Sequence, residues 1–462
     1  MGILAICLAD NTITSAVYKD QRCQLVPSIE MFDHPATASD AERRLPSILE
    51  DAAAFLGEEI HALAVIMPVR VSFAESIPLI RKIRELNIPW FRLLQLTDAL
   101  TLYAVMESEY REDAHSWTRN ILTCYAEPQQ ISTSLYHWSC HAEGGGMLDC
   151  IGHQALDTSY VDLLTADLFA QIRWAIGRTL TTSERNMLEA PMRAAARGIS
   201  PRVSCQFDKS IPLPDPPEEF PREICLPAKD AEHLYRKATL PDRMPEKLNC
   251  TLGCRLRPGQ SLSRILVAGD LFHRPQAVQQ LQTQFGSDVE ILCFKPYAPL
   301  FGAIAYVQQL LEDAPNHMQL QEVLAWPITM EGHISDITLI PAGAILPAQV
   351  RTSIGLLAER KVALKVQQHG QDMMSCYYTA PETGEYVLQT ELKEDYTLSC
   401  CLQDTDGNTL LTIEPYIRRC EHTEPALPLS YLVAEELTLD KLMEILKDEE
   451  EEEKPAPIPE WK

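Results

Sequence analysis

Arg264-Ile-Leu-Val-Ala-Gly-Asp270, continued by Leu271-Phe-His-Arg-Pro275, decides the fold class of the larger part of the chain. The apolar run predicts a buried strand, and the glycine a tight turn. Proline then opens a helix whose first N–H needs no partner. Val278, Leu281 and Phe285 fall on one helical face, and Gly286 stands where a C-terminal cap belongs. In α/β folds such a strand–turn–helix unit presents the carboxyl end of its strand to ligands.

Similar units lie on the N-terminal side. Residues 1–18 predict a strand, a turn at Asp10-Asn11 and a second strand. Leu45 to Leu56 predicts a helix. Ala62 to Pro68 predicts a buried strand, with a helix through Ile77, Ile80 and Ile83 after it. Arg92 to Leu96 leads into a helix through Leu100 and Tyr103. Ile121–Tyr125 and Ile131–Trp138 form a strand pair. Ser159-x-x-Asp162 is a capping-box-like start, and Val161, Leu164, Leu168, Ile172 and Ala175 keep one face. Pro201 to Pro245 is proline-rich and irregular. Val289–Phe294 and a helix from Leu300 to Leu311 close this part.

After Pro315 the pattern changes to strands and turns, from Ile334–Ile340 to Thr409–Glu414. Asp404-Thr-Asp-Gly-Asn408 carries a hairpin signal. An antiparallel sandwich of about a hundred residues is expected. Val433–Leu446 predicts a last amphipathic helix, and the acidic run Asp448–Glu453 a solvated tail.

The chain has 462 residues, 46% of them hydrophobic, which is enough for two or three domains with their own cores. Its 40 basic against 65 acidic residues give a net charge of -25. That field disfavours nucleic acid and anionic membranes as partners. No apolar run reaches the length of a membrane span, and no basic n-region precedes the first apolar residues. A cytoplasmic protein is expected. The 14 cysteines are scattered through apolar runs. Cys7, Cys124, Cys293 and Cys400 read as small buried hydrophobes. Cys250 and Cys254 resemble half a metal site, but no second pair accompanies them, so no metal is expected. Gly-x-Ser-x-Gly, Walker and His-Glu-x-x-His motifs are absent.

The order of these pieces resembles the 70-kDa heat-shock chaperone family. Ala62-Leu-Ala-Val-Ile-Met-Pro68 is similar to that family's buried strand ending in proline. Gly152-His-Gln-Ala-Leu-Asp157 with Val161-Asp162 resembles its Gly-Gly-x-x-x-Asp segment, and Ile265 to Pro275 its adenosine-side turn. Gly302-Ala303 sits like the Gly-Ala pair that enters its next helix. Leu339-Ile-Pro341 with Ile345-Leu-Pro347 looks like its Leu-Ile-Pro…Ile-Pro signature. The resemblance spans residues 3 to about 415. It implies an actin-like, ribonuclease-H-like α/β domain of two lobes (1–316, divided near residue 150) and a linker at 317–326. A β-sandwich at 327–420, a short helical segment at 421–447 and a tail at 448–462 would follow. One subdomain, between Gln21 and Ala62, is expected to be trimmed.

The resemblance implies bound ATP or ADP with magnesium, and the departures disfavour it. In the first phosphate loop Cys7 stands for an Asp, Ala9 for a Gly, and Asp10-Asn11 for two threonines. A thiol is a poor partner for hydrated magnesium. The second loop, Tyr125-Ala-Glu-Pro-Gln-Gln130, has no glycine, a proline without an N–H and the charge of Glu127. Leu96 stands where the catalytic Glu belongs. Any residual nucleotide contact would fall to Gly269, Asp270 and Asp10. No cofactor and no catalytic residue is expected. In the β half the resemblance places Ile328 and Met330 on one side of a peptide pocket, and Ile354, Val362 and Leu364 on the other. Ordinary sandwich core would give the same alternation. Three functions follow as expectations. One is a chaperone-like protein that binds extended peptide or a dedicated partner without ATP hydrolysis. Another is an ATP-binding chaperone rebuilt through Asp10, Asp98 and Asp270, and the third is an actin-like structural adaptor.

Overall fold

The computed structural model describes residues 2–9, 12–20, 22–32, 35–107, 117–127, 130–140, 146–157, 202–204, 223–225, 248, 256, 260–273, 275–312, 318–332 and 335–413. The expected helix after Ser159, most of the proline-rich segment, the last helix and the acidic tail lie outside them. Within them the chain is mixed α/β and rich in sheet. No described helix is long and apolar enough to cross a membrane.

The first sheet starts with a meander of β1 (Gly2–Ala9), β2 (Thr12–Lys19) and β3 (Arg22–Leu25), with the short β4 (Glu30–Met31) beside β2. Then come α1 (Ala38–Leu56), β5 (Ile60–Met67), α2 (Phe73–Glu85), β6 (Trp90–Gln95) and α3 (Leu96–Glu107). The strand order is β3-β2-β1-β5-β6, antiparallel at β1–β2 and parallel at β1–β5 and β5–β6. Capping boxes fix where two helices begin. Thr37 and Asp40 close the start of α1, and Ser72 and Glu75 that of α2, each pair satisfying two otherwise orphaned N–H groups.

A second sheet repeats this order. Its meander is β7 (Trp117–Ala126), β8 (Gln130–Cys140) and β9 (Gly146–Asp157). A separate small pair follows, β10 (Arg202–Ser204) and β11 (Glu223–Cys225). The stretch that opened the sequence reading forms β12 (Arg264–Gly269), a 3-10 turn (Asp270–His273) and α4 (Pro275–Phe285). Next come β13 (Glu290–Cys293), α5 (Ala298–Leu311) and β14 (Met318–Gln321). The order is β13-β12-β7-β8-β9-β14, with β12 parallel to both β7 and β13. Because β7 and β8 pair into this sheet, it begins at Trp117 and not near residue 150, where the sequence divided the lobes. Residues 318–321, expected as linker, form a strand on β9.

α3 and α5 lie in one apolar core with both sheets. Gly302 permits this packing, since a Cβ there would stand 2.1 Å from the Ala99 carbonyl oxygen of α3. α1 and α2 cover the other face of the first sheet. Cys7, Cys124 and Cys400 are buried as expected, whereas Cys293 is exposed at the end of β13.

The remaining strands are β15 (Ile328–Met330), β16 (Ile337–Ile340), β17 (Ala348–Leu356), β18 (Lys361–Gln368), β19 (Gln371–Thr379), β20 (Gly384–Leu392), β21 (Leu398–Gln403) and β22 (Thr409–Ile413). They form two antiparallel sheets, β16-β15-β18-β19 and β17-β20-β21-β22, which share one core. Ala74 of α2 belongs to that core, and Tyr396, from the turn before β21, belongs to the core of the first sheet. Each unit therefore inserts a side chain into the other.

Candidate functional site

The carboxyl ends of β5, β7 and β12 meet where α/β folds usually place a ligand. Gly269 ends β12 at a φ of 94°, and a Cβ there would stand 2.1 Å from the Ala126 carbonyl oxygen. The glycine that the sequence assigned to nucleotide contact thus lets β12 approach the end of β7. Asp270 opens the 3-10 turn. Its side chain lies outside the described residues, as does Asp10.

Glu127, just past β7, is 2% exposed. Its carboxylate accepts from Gln130 Nε2 at 2.9 Å and from Arg70 Nε at 3.3 Å. Arg70 also donates to the Ala36 carbonyl at 2.9 Å. An ion pair therefore fills the place that the resemblance reserved for phosphate. Leu96, which the resemblance aligned with a catalytic Glu, is fully buried in the core between the sheets.

A second polar site lies on the seam with the β unit. Arg92 of β6 donates to Glu322 at 2.8 Å. Tyr396 OH stands 3.3 Å from the other Glu322 oxygen and bonds the backbone of Leu93. Trp326 Nε1 donates to Val69 O at 2.8 Å. Gln368 accepts from Ala74 N at 3.0 Å and donates to Trp326 O at 2.8 Å. Burial pushes the Glu322 carboxyl up to about 7, against the opposing charge of Arg92. The cavity among Leu93, Asp98, Glu322, Trp326 and Tyr396 holds about 60 Å³. Small-molecule pockets span roughly 300–1,000 Å³, well above this volume. A larger cavity of about 420 Å³ touches Ile3, Tyr18, Lys19, Leu56 and Glu312. It lies at the amino end of β1, away from the carboxyl ends of the strands.

A third site is a buried polar cluster between α3 and the second sheet. β9 carries an extra residue, Ile151, because Tyr136 pairs with Cys150 while Leu135 pairs with Gly152. In a regular strand, positions 150 and 153 would face opposite sides. The bulge turns both toward α3, level with Tyr136 and Ser134. There Cys150 Sγ lies 3.5 Å from His153 Nε2, and Asp98 Oδ1 lies 3.9 Å from the same nitrogen. Ser134 Oγ holds His153 Nδ1 at 2.6 Å and meets Thr97 Oγ1 at 2.6 Å. Tyr136 donates to Asp98 at 2.5 Å, and Gln95 N donates to its other oxygen at 3.2 Å. Burial raises Asp98 to about 6 despite these donors.

Of the five expected peptide-pocket residues, Ile328, Met330, Ile354 and Leu364 are buried in the core of the two β sheets, and half-buried Val362 packs against it. Sequence reasoning missed Arg92, Glu322 and Tyr396, which carry no local motif. It also passed over Cys150 and His153. Their Cys-x2-His spacing is visible, but strand alternation separates them unless the bulge is known. No protein-family model matches the chain, and no curated protein matches it in sequence.

Proposed function

We propose that the chain is an actin-like body of two lobes joined to a β-sandwich, the architecture of the 70-kDa heat-shock chaperones. On this reading it works as a binding protein without an ATPase cycle. Its targets are extended peptide segments or one dedicated protein partner. Support for the two lobes comes from the repeated strand order, a three-stranded meander extended by two parallel strands in each sheet. Support for the sandwich comes from the single core shared by the last two sheets.

The observation that carries the loss of the nucleotide step is the Arg70–Glu127–Gln130 group. A phosphate placed there would meet a buried carboxylate and would have to displace its arginine, leaving an uncompensated charge. A site rebuilt through Asp10, Asp98 and Asp270 has little support, because Asp98 is buried between α3 and the second sheet, facing Tyr136. The adaptor reading has one observation in its favour: four of the five pocket side chains are committed to the core. An extended segment would then add to a sheet edge through backbone bonds. β19 is such an edge, and Tyr377 stands exposed on it.

Light scattering of an aggregating unfolded client, with the full chain present and ATP–magnesium added or omitted, tests this reading. Equal suppression in both conditions is expected. Suppression or release that depends on ATP would contradict it. No suppression, together with recovery of one stoichiometric partner, would select the adaptor form.

A further inference from the structure

The geometry points to a zinc-type metal site built by Cys150, His153 and Asp98, which ties α3 to β9. The ligand atoms of these three buried residues all lie within 4.8 Å of one another. Tetrahedral zinc, with bonds of about 2.3 Å to sulfur and about 2.0 Å to nitrogen, sets those two ligands roughly 3.5 Å apart. Cys150 Sγ and His153 Nε2 stand 3.5 Å apart. Asp98 Oδ1, at 3.9 Å from Nε2, has to close by roughly 0.6 Å, since bonds of about 2.0 Å set the two atoms roughly 3.3 Å apart.

The same residue types could form a nucleophile relay, and the arrangement argues against it. In such a relay the thiol and the carboxylate bond opposite nitrogens of the ring. Here both face Nε2, while Nδ1 is committed to Ser134. With Nδ1–H donating to Ser134 Oγ, the Nε2 lone pair, the sulfur and a carboxylate oxygen converge on one point. A cation that replaces the thiol proton shared between Sγ and Nε2 would meet all three at once. Ser134, through Thr97, supplies the outer hydrogen bond that keeps a metal-bound imidazole in orientation. Tyr136 O–H and Gln95 N–H do the same for the carboxylate.

A sulfur ligand selects a borderline ion such as zinc over magnesium or calcium. Binding expels the thiol proton of Cys150 and leaves a fourth position for water. Asp98 sits in the first turn of α3, whereas Cys150 and His153 are on β9. The ion would therefore hold a helix following the first sheet to a strand of the second. This inference is independent of whether the chain binds peptide.

The test uses the full chain purified without chelator. Elemental analysis is expected to find one zinc per chain, with an X-ray absorption shell of one sulfur and otherwise nitrogen and oxygen. Cobalt(II) in place of zinc is expected to give a thiolate charge-transfer band. That band should vanish in Cys150→Ser, need at least ~10-fold more cobalt in His153→Gln, and persist in Cys293→Ser, which alters an exposed thiol. A folded wild-type chain that takes up neither ion overturns the proposal. So does a sulfur-free or sulfur-rich shell, or an unchanged band in Cys150→Ser. The wild-type spectra decide even if the variants fail to fold.

Discussion

Tyr396 pairs with the backbone of Leu93 in both directions, accepting from Leu93 N at 3.2 Å and donating to Leu93 O at 3.0 Å. Leu93 lies on β6, the edge strand of the first sheet, whose outward N–H and C=O have no neighbouring strand among the described residues. A side chain from the β unit thus does for one residue what a further strand would do, and blunts the edge. Tyr396 holds a φ of 62°, an uncommon conformation for an aromatic residue, which the surrounding packing must sustain.

Tyr396→Phe keeps the ring and strands two buried backbone groups. It is expected to cost about 1–3 kcal/mol. Urea denaturation of the full chain measures it, and a change below ~0.5 kcal/mol would show that the pairing contributes little.

Arg92→Ala removes the partner of Glu322 in a place where both are largely buried. A loss of about 3 kcal/mol is expected. In a Glu322→Gln background the same change should cost far less, because no charge is left uncompensated. A double-mutant cycle reads the difference directly. Additive effects would rule out the coupling.

The pH dependence follows from the same groups. Burial raises Glu322 from its ordinary 4.5 to about 7. A carboxyl raised on folding binds its proton more tightly in the folded chain. Its contribution is complete below the unfolded value and is lost as pH rises through the folded one. Stability from Glu322 is therefore expected to fall between pH ~4.5 and ~7, by an amount on the order of 3 kcal/mol. Glu322→Gln should flatten that part of the profile of denaturation midpoint against pH. An identical slope in wild type and variant would contradict it.

Gly269→Ala is expected to destabilise by more than ~2 kcal/mol. It combines a left-handed backbone with a Cβ 2.1 Å from the Ala126 carbonyl oxygen. The Tm of the variant checks this, and a neutral result would mean that β12 can retreat from β7.

Much of the architecture was legible because it rests on periodicity and punctuation. The strand at Arg264–Gly269, the helix opened by Pro275 and capped near Gly286, and the alternation after Pro315 all appear in the fold. What stayed hidden depends on distant pairings. The start of the second sheet at Trp117 follows from β12 choosing β7. Residues 318–321 became a strand only because β9 had a free side. Ile151 is a bulge only against β8. Glu127 was read as a charge at an expected phosphate position, but Arg70, 57 residues earlier, could not be named as its partner.

The central claim is that the carboxyl ends of β5, β7 and β12, where Arg70 meets Glu127 and Gly269 approaches Ala126, take no nucleotide. Calorimetric titration of the full chain with ATP and with ADP, each with magnesium, tests it most directly. No saturable heat is expected up to millimolar nucleotide. Binding tighter than ~10 μM, about 7 kcal/mol, would contradict the account.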